Sequence, residues 1–159
     1  GDFKTLSGRT VGRHDGVAYY TIGQRRGMGI GGAGDAWFVV GKDITKNVVY
    51  VEQGAKHPSL YTDTLVATDL SFVSSIDNLK LPHTCRSKIR YRQTDQICTI
   101  EKIENGRCFV TFQVPQRAVT KRQSIVFYDG DICLGGGIIE SHGSTYYEQK
   151  KALPLEVSL

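Results

Sequence analysis

No stretch of this 159-residue chain approaches the roughly 20 consecutive apolar residues that a membrane-spanning helix needs, so a helical span is excluded. Methionine is almost missing: Met28 is the only one, and the chain opens Gly1-Asp2-Phe3-Lys4 with no apolar leader. The expectation is a piece of something longer, without a secretory signal. Cysteine is scarce too. Cys85, Cys98, Cys108 and Cys133 form no CxxC pair, so the reading is buried free thiols in a reducing, cytoplasmic compartment. His14, His57, His83 and His142 are scattered, and no metal is expected. Catalytic signatures are absent as well: there is no His-Glu-x-x-His, no Gly-x-Ser-x-Gly and no Walker Gly-Lys-Ser/Thr. A literal GxGxxG at Gly27, Gly29 and Gly32 runs on into Ala33-Gly34-Asp35 and a strand pattern, whereas a dinucleotide fingerprint must open a helix. What remains of it is a glycine loop bearing Gln24, Arg25 and Arg26, able to clamp phosphate, stack on a base or serve as a solvated turn.

Positive charge, in contrast, is present and concentrated. The formal net charge is +4. Residues 79–122 carry ten Lys/Arg against three Asp/Glu, while residues 1–78 are balanced at eight of each. A local excess of this kind suits a phosphate-contacting surface, and also a well-solvated one. Within it, Cys85-Arg86-Ser87-Lys88-Ile89-Arg90-Tyr91-Arg92 alternates. A regular strand puts Arg86, Lys88, Arg90 and Arg92 on one face, about 6.6 Å apart at roughly 3.3 Å per residue. That stripe fits a row of phosphates, or the charge protection of an edge strand.

Strand signals dominate the rest. Val17–Ile22, Trp37–Val40, Val48–Glu52 and Thr64–Val73 are β-branched and aromatic runs, with a turn at Asp43–Asn47. Asn105-Gly106 predicts a tight hairpin between Ile97–Ile103 and Cys108–Phe112, and Asp129-Gly130-Asp131 a second between Ser124–Tyr128 and Ile132–Leu134. Gly135-Gly136-Gly137 reads as close packing within a strand. The fold class is mostly β, in two small modules. Residues 1–78 form the first, with a boundary at Ser74–Pro82; residues 79–142 form a compact barrel; residues 143–159 form a flexible or partly helical tail.

Tyr20-Thr21-Ile22-Gly23-Gln24-Arg25-Arg26-Gly27, Trp37–Val40, Lys88–Gln93, Val126–Gly130 and Cys133–Ile139 resemble, in order and spacing, the C-terminal part of the bacterial tRNA-specific 2-thiouridylase family. The resemblance runs from about Gly8 to Ile139. It implies a central β domain and a β-barrel similar to the second domain of elongation factor Tu. It also implies that the parent enzyme installs sulfur at C2 of the wobble uridine in tRNAs for Lys, Glu and Gln. The ATP that adenylates the uridine, and the cysteines that carry persulfide from a sulfur-relay donor protein, belong to an N-terminal catalytic domain. No catalytic residue and no cofactor is therefore expected in this chain. The family's tRNA contacts fall on an Arg-Tyr pair and a Gln, here Arg90, Tyr91 and Gln123; Arg86, Lys88, Arg92, Gln24, Arg25 and Arg26 join them as candidates. The usual Thr-Pro-Gly-Gln before the last contact reads Thr120-Lys121-Arg122-Gln123 here. A structural role, packing on the catalytic domain through an apolar patch at Trp37 and Phe38, is the alternative.

Overall fold

The computed structural model describes residues 1–73 and 78–157. Its first unit is a four-stranded mixed sheet in the order β2-β1-β4-β3. β1 (Asp2–Lys4) pairs antiparallel with β2 (Thr10–Arg13) and parallel with β4 (Val48–Gln53), which closes a hairpin with β3 (Trp37–Asp43). The turn at Ile44–Asn47 forms as its residues dictate. Asp43 Oδ1 accepts the Lys46 N–H at 2.9 Å, and Asn47 takes a positive φ of 54°. Phe3, Val39, Val49 and Val51 are fully buried beneath it with Val17, Tyr20 and Met28. The run Val17–Ile22 is not a strand. Val17–Tyr19 makes one 3₁₀ turn, because Val17 and Tyr20 both insert into this core, a spacing a flat two-residue period cannot supply.

The second unit is a closed six-stranded barrel, in the order β10-β5-β8-β7-β6-β9. Its strands are β5 (Tyr61–Phe72), β6 (His83–Lys88), β7 (Gln96–Glu104), β8 (Arg107–Arg117), β9 (Ser124–Asp129) and β10 (Ile132–His142). Closure satisfies both edges of every strand. Asn105 and Gly106, both at positive φ, form the two-residue turn that pairs Glu104 with Arg107. Gly130 (φ 57°) starts the turn pairing Asp129 with Ile132. Leu65, Cys98, Ile100, Val110, Ile125, Phe127 and Ile139 fill the interior. Cys85 and Cys98 face each other across β6 and β7 with sulfurs 3.7 Å apart. Their mutual hydrogen bond and burial push the Cys85 thiol up, and burial takes Cys108 up to about 12. The hydrogen bond from Cys85 draws the Cys98 thiol the other way, down. All three are buried free thiols, as expected; Cys133, however, is exposed.

Two organisational expectations need correction. β5 pairs with β8 and β10, so it is a barrel strand, and the sheet unit ends before Tyr61 rather than at residue 78. Of the expected boundary Ser74–Pro82, residues 74–77 lie outside the described residues. Residues 143–157 contain no helix and are not a loose tail: they form a strap along the junction of the two units. Thr62 Oγ1 donates to the carbonyls of Gly143 and Ser144, both at 3.2 Å, and the Tyr146 N–H donates to the Tyr61 carbonyl at 2.9 Å. Val157 is buried with Phe38, Leu60 and Tyr61, and Leu153 packs on them. Leu153 and Val157 anchor a segment that has no periodic signal of its own.

Candidate nucleic-acid interface

The alternation of residues 85–92 ends sooner than its sequence pattern does. β6 stops at Lys88. Cys85, Ser87 and Ile89 point inward and Arg86 and Lys88 outward, as the two-residue period requires, but Arg90, Tyr91 and Arg92 lie on a turn beyond the strand. The four-cation stripe is therefore only two residues long on the strand. This strand end frees Tyr91 from the inward face, and the residue is 96% exposed.

Each basic side chain has a different fate. Arg86 Nε sits 3.1 Å from Asp95 Oδ1, so its charge is locally neutralised. Arg90 donates through Nη2 to the carbonyl of Arg117 and, at 3.1 Å, to that of Ala118. Burial, with the Arg117 guanidinium close by, pulls its pKa below the usual arginine value. Lys88 Nζ stands 5.8 Å from the centre of the Tyr128 ring. Neither Lys88 nor Arg92 has an ion-pair partner among the described residues.

Lys88, Arg90, Tyr91 and Gln123 line one groove of about 540 Å³, together with Ser124, Val126 and Tyr128. Gln123 reaches it from the connection between β8 and β9. There the Gln123 N–H donates to the Thr120 carbonyl at 3.4 Å, and Arg122 occupies the left-handed region at φ 72°. The turn thus forms around Thr120-Lys121-Arg122-Gln123, with Arg122 standing where glycine is favoured. Backbone bonds to Ile139, from the Arg122 N–H and to the Gln123 carbonyl at 2.9 and 2.7 Å, clip it to β10. Arg122→Gly should raise stability by roughly 0.5–1 kcal/mol, since glycine pays no Cβ penalty at positive φ. Urea unfolding would show this as a higher midpoint at unchanged slope; a lower midpoint contradicts the turn assignment.

Arg92 lies on the other side of Arg90, in a pocket of about 280 Å³ with Gln93, Gln96, Gln116, Arg117 and Glu156. Gln24, Arg25 and Arg26 sit elsewhere, on the sheet unit. Gln24 is committed to its own loop: Oε1 accepts the Thr21 N–H at 3.0 Å and Nε2 donates to the Arg26 carbonyl at 2.8 Å. Arg25 and Arg26 are exposed on the wall of a separate groove containing Met28, Gly32 and Trp37. No helix follows this glycine loop. It therefore lacks the helix N-terminus on which a nucleotide phosphate would rest. Phe38 is buried in the junction, with the Arg117 guanidinium 5.3 Å from its ring centre, so of the apolar patch expected at Trp37–Phe38 only Trp37 stays half-buried at the surface.

Sequence reasoning assigned no role to Ser124 or Tyr128. The signal for Tyr128 was available: Ile125 and Phe127 are inward in β9, so Val126 and Tyr128 must face out, beside Lys88 and Arg86 respectively.

Two family models match in tandem. Residues 1–53 match the tRNA methyl transferase PRC-barrel domain, and residues 62–139 match the aminomethyltransferase beta-barrel domain. The gap between them coincides with the change from sheet to barrel. The tRNA-specific 2-thiouridylase MnmA of Protochlamydia amoebophila (strain UWE25) is 66% identical over 154 residues, covering 97% of this chain and 40% of that protein. The chain belongs to the tRNA-specific 2-thiouridylase family. It corresponds to the C-terminal part of its members. The 2-thiouridylases of Listeria innocua and Shouchella clausii are 55% and 50% identical, over 89% and 88% of this chain and 38% of each relative. This chain thus spans about 40% of the length of the 2-thiouridylases it matches. Among the described residues no three His, Cys, Asp or Glu side chains gather into a metal-binding group, and no helix is long and apolar enough to cross a membrane.

Proposed function

We propose that this chain is the noncatalytic tRNA-binding portion of a cytoplasmic tRNA-uridine 2-sulfurtransferase, one that makes 2-thiouridine at the wobble position of tRNAs for Lys, Glu and Gln. The observation that carries the reading is the convergence of Lys88, Arg90, Tyr91 and Gln123 on one groove, although β6, a turn and the β8–β9 connection supply them separately. A cation, an exposed aromatic ring and an amide are the side chains a groove needs to hold an RNA strand. ATP, the catalytic cysteines and contact with a sulfur-relay donor protein are assigned to the N-terminal catalytic domain, outside this chain. Binding energy from tRNA contacts remote from the reacting base would then position the wobble uridine for chemistry elsewhere.

The roles within the groove are unequal. Lys88 is the phosphate anchor. Arg90 shapes the turn through its two carbonyl bonds, so Arg90→Ala should lower RNA affinity and stability together. Arg86, already paired with Asp95, contributes least. Lys88→Ala should weaken tRNA binding with little change in melting temperature, and it should reduce the slope of log K against log salt by about one. Fluorescence anisotropy over a salt series measures this directly; an unchanged slope removes Lys88 from the phosphate contacts. If the chain instead served only to pack on the catalytic domain, Lys88→Ala and Tyr91→Ala would leave RNA affinity untouched.

A further inference from the structure

Cys85 and Cys98 stand directly opposite each other in the antiparallel ladder of β6 and β7. Residues paired in this way have Cα atoms about 4.5–5.5 Å apart, inside the window of roughly 4.4–6.8 Å that a disulfide spans. Both side chains point into the barrel, where their sulfurs lie 3.7 Å apart. Closing that gap to the roughly 2.05 Å of an S–S bond takes rotation about the two Cα–Cβ bonds and no slip of the ladder. The third interior thiol is placed differently. Cys108 stands opposite Ile103 in β7 and Ala67 in β5, while Phe112 is the β8 residue opposite Cys98.

The two opposed thiols are also unequal. Cys85 and the buried Ser87 hydroxyl both draw the Cys98 thiol down, whereas Cys85 itself is pushed up. One sulfur is thus disposed to lose its proton and attack, the other to keep its proton until a bond forms. Cys98 is 1% exposed, so the oxidant must be small and must arrive during a local opening. A place for that opening lies close by. Ser87 and Gln96 are the last ladder pair of the β6–β7 hairpin, one inward-facing step from Cys85, and loop 89–95 beyond them carries Arg90, Tyr91 and Arg92.

We propose that Cys85 and Cys98 are a redox pair, which hydrogen peroxide converts to a cross-strand disulfide that clamps the base of the hairpin bearing loop 89–95. The Cys98 thiolate attacks one peroxide oxygen and the O–O bond breaks. The departing hydroxide takes up the Cys98 proton, leaving a sulfenic acid and water. The Cys85 sulfur then attacks the sulfenic sulfur, the S–O bond breaks, and the hydroxyl leaves with the Cys85 proton as a second water. Two thiols lose two electrons in all, and one peroxide takes them. A thiol reductant reverses the bond. This inference is independent of the RNA-binding reading, because it concerns the interior face of the hairpin.

The test uses the chain carrying Cys133→Ser, which removes the exposed thiol, treated with hydrogen peroxide in native buffer. Remaining thiols are alkylated after unfolding, and the chain is weighed and its peptides mapped. The expected product is about 2 Da lighter before alkylation, has Cys85 linked to Cys98 with Cys108 alkylated, and returns to the starting mass with dithiothreitol. Adding Cys108→Ala should leave the link intact. Amide exchange in residues 89–95 should slow roughly threefold or more on oxidation and recover on reduction. A link to Cys108, sulfinic acid without a link, or no reaction while the chain stays folded overturns the redox pair. A Cys85–Cys98 link that leaves exchange unchanged overturns the clamp.

Discussion

Gly136→Ala is expected to destabilise the chain by about 3 kcal/mol or more, because an added methyl has nowhere to go. A Cβ at Gly136 would lie 2.2 Å from the Ile125 carbonyl oxygen and 3.2 Å from the Ile125 carbonyl carbon. Both are backbone atoms of the neighbouring strand, so no rotamer change makes room. Gly135 and Gly137 are closed in the same way by the carbonyls of Ser71 and Thr68. The three glycines lie where β10 changes register against β5 and β9, and the barrel closes by bringing those backbones together. A loss of this size corresponds to roughly 6–12 °C in melting temperature for a chain of this length. Gly31→Ala is the matched control: nothing lies within 4 Å of its Cβ position, so its effect should stay within about 0.5 kcal/mol. Equal melting temperatures for the two variants would contradict the close packing of β10.

Arg117→Ala should be nearly as damaging, by a different route. Arg117 leaves the end of β8 and crosses to the sheet unit, where Nε donates to the Ala55 carbonyl at 3.0 Å and the guanidinium lies over Phe38. It also meets the Tyr61 phenol, whose pKa burial pushes up and Arg117 draws back down. A charged hydrogen bond contributes about 1.5–3 kcal/mol and the cation–π contact about 0.5–2 more, so a loss of about 3 kcal/mol is expected. Arg117→Lys should recover little, since an ammonium group cannot aim its donors in a planar fork. Because Arg90 is bonded to the Arg117 and Ala118 carbonyls, a shift of the β8 end also loosens the turn bearing Tyr91. Limited proteolysis at residues 54–60 would accelerate if the two units separate. A melting temperature equal to that of the unsubstituted chain would remove Arg117 as the clamp.

The sequence was most legible where structure is local. The Asn105-Gly106 and Gly130-Asp131 turns form as their residues demand, and the outward placing of Arg86 and Lys88 follows the two-residue period of β6. The same period misled at residues 90–92, because alternation persists past the last ladder pair at Lys88 and nothing local marks the strand end. β1 has three residues, too few for a pattern, and is held by ladder partners six to eleven positions on in β2 and forty-six on in β4. The assignment of β5 to the barrel could not be read from charge, since its composition matches the sheet while its ladder partners lie in β8 and β10. The 143–157 strap was illegible for a related reason: its order comes from Leu153 and Val157 reaching a junction that exists only after both units fold. At the candidate site, the resemblance named Arg90, Tyr91 and Gln123, which do share a groove, whereas the distinction between committed and free cations required seeing Asp95 and two backbone carbonyls.

The most direct test of the RNA-anchoring reading is the anisotropy of a labelled lysine tRNA against this chain at two salt concentrations, beside an unrelated hairpin RNA. Binding that prefers the tRNA and weakens steeply with salt is the expected result, since Lys88, which has no ion-pair partner among the described residues, lines the proposed groove. No binding of either RNA at low salt would contradict it, and would leave the barrel and its strap as a support for the catalytic domain alone.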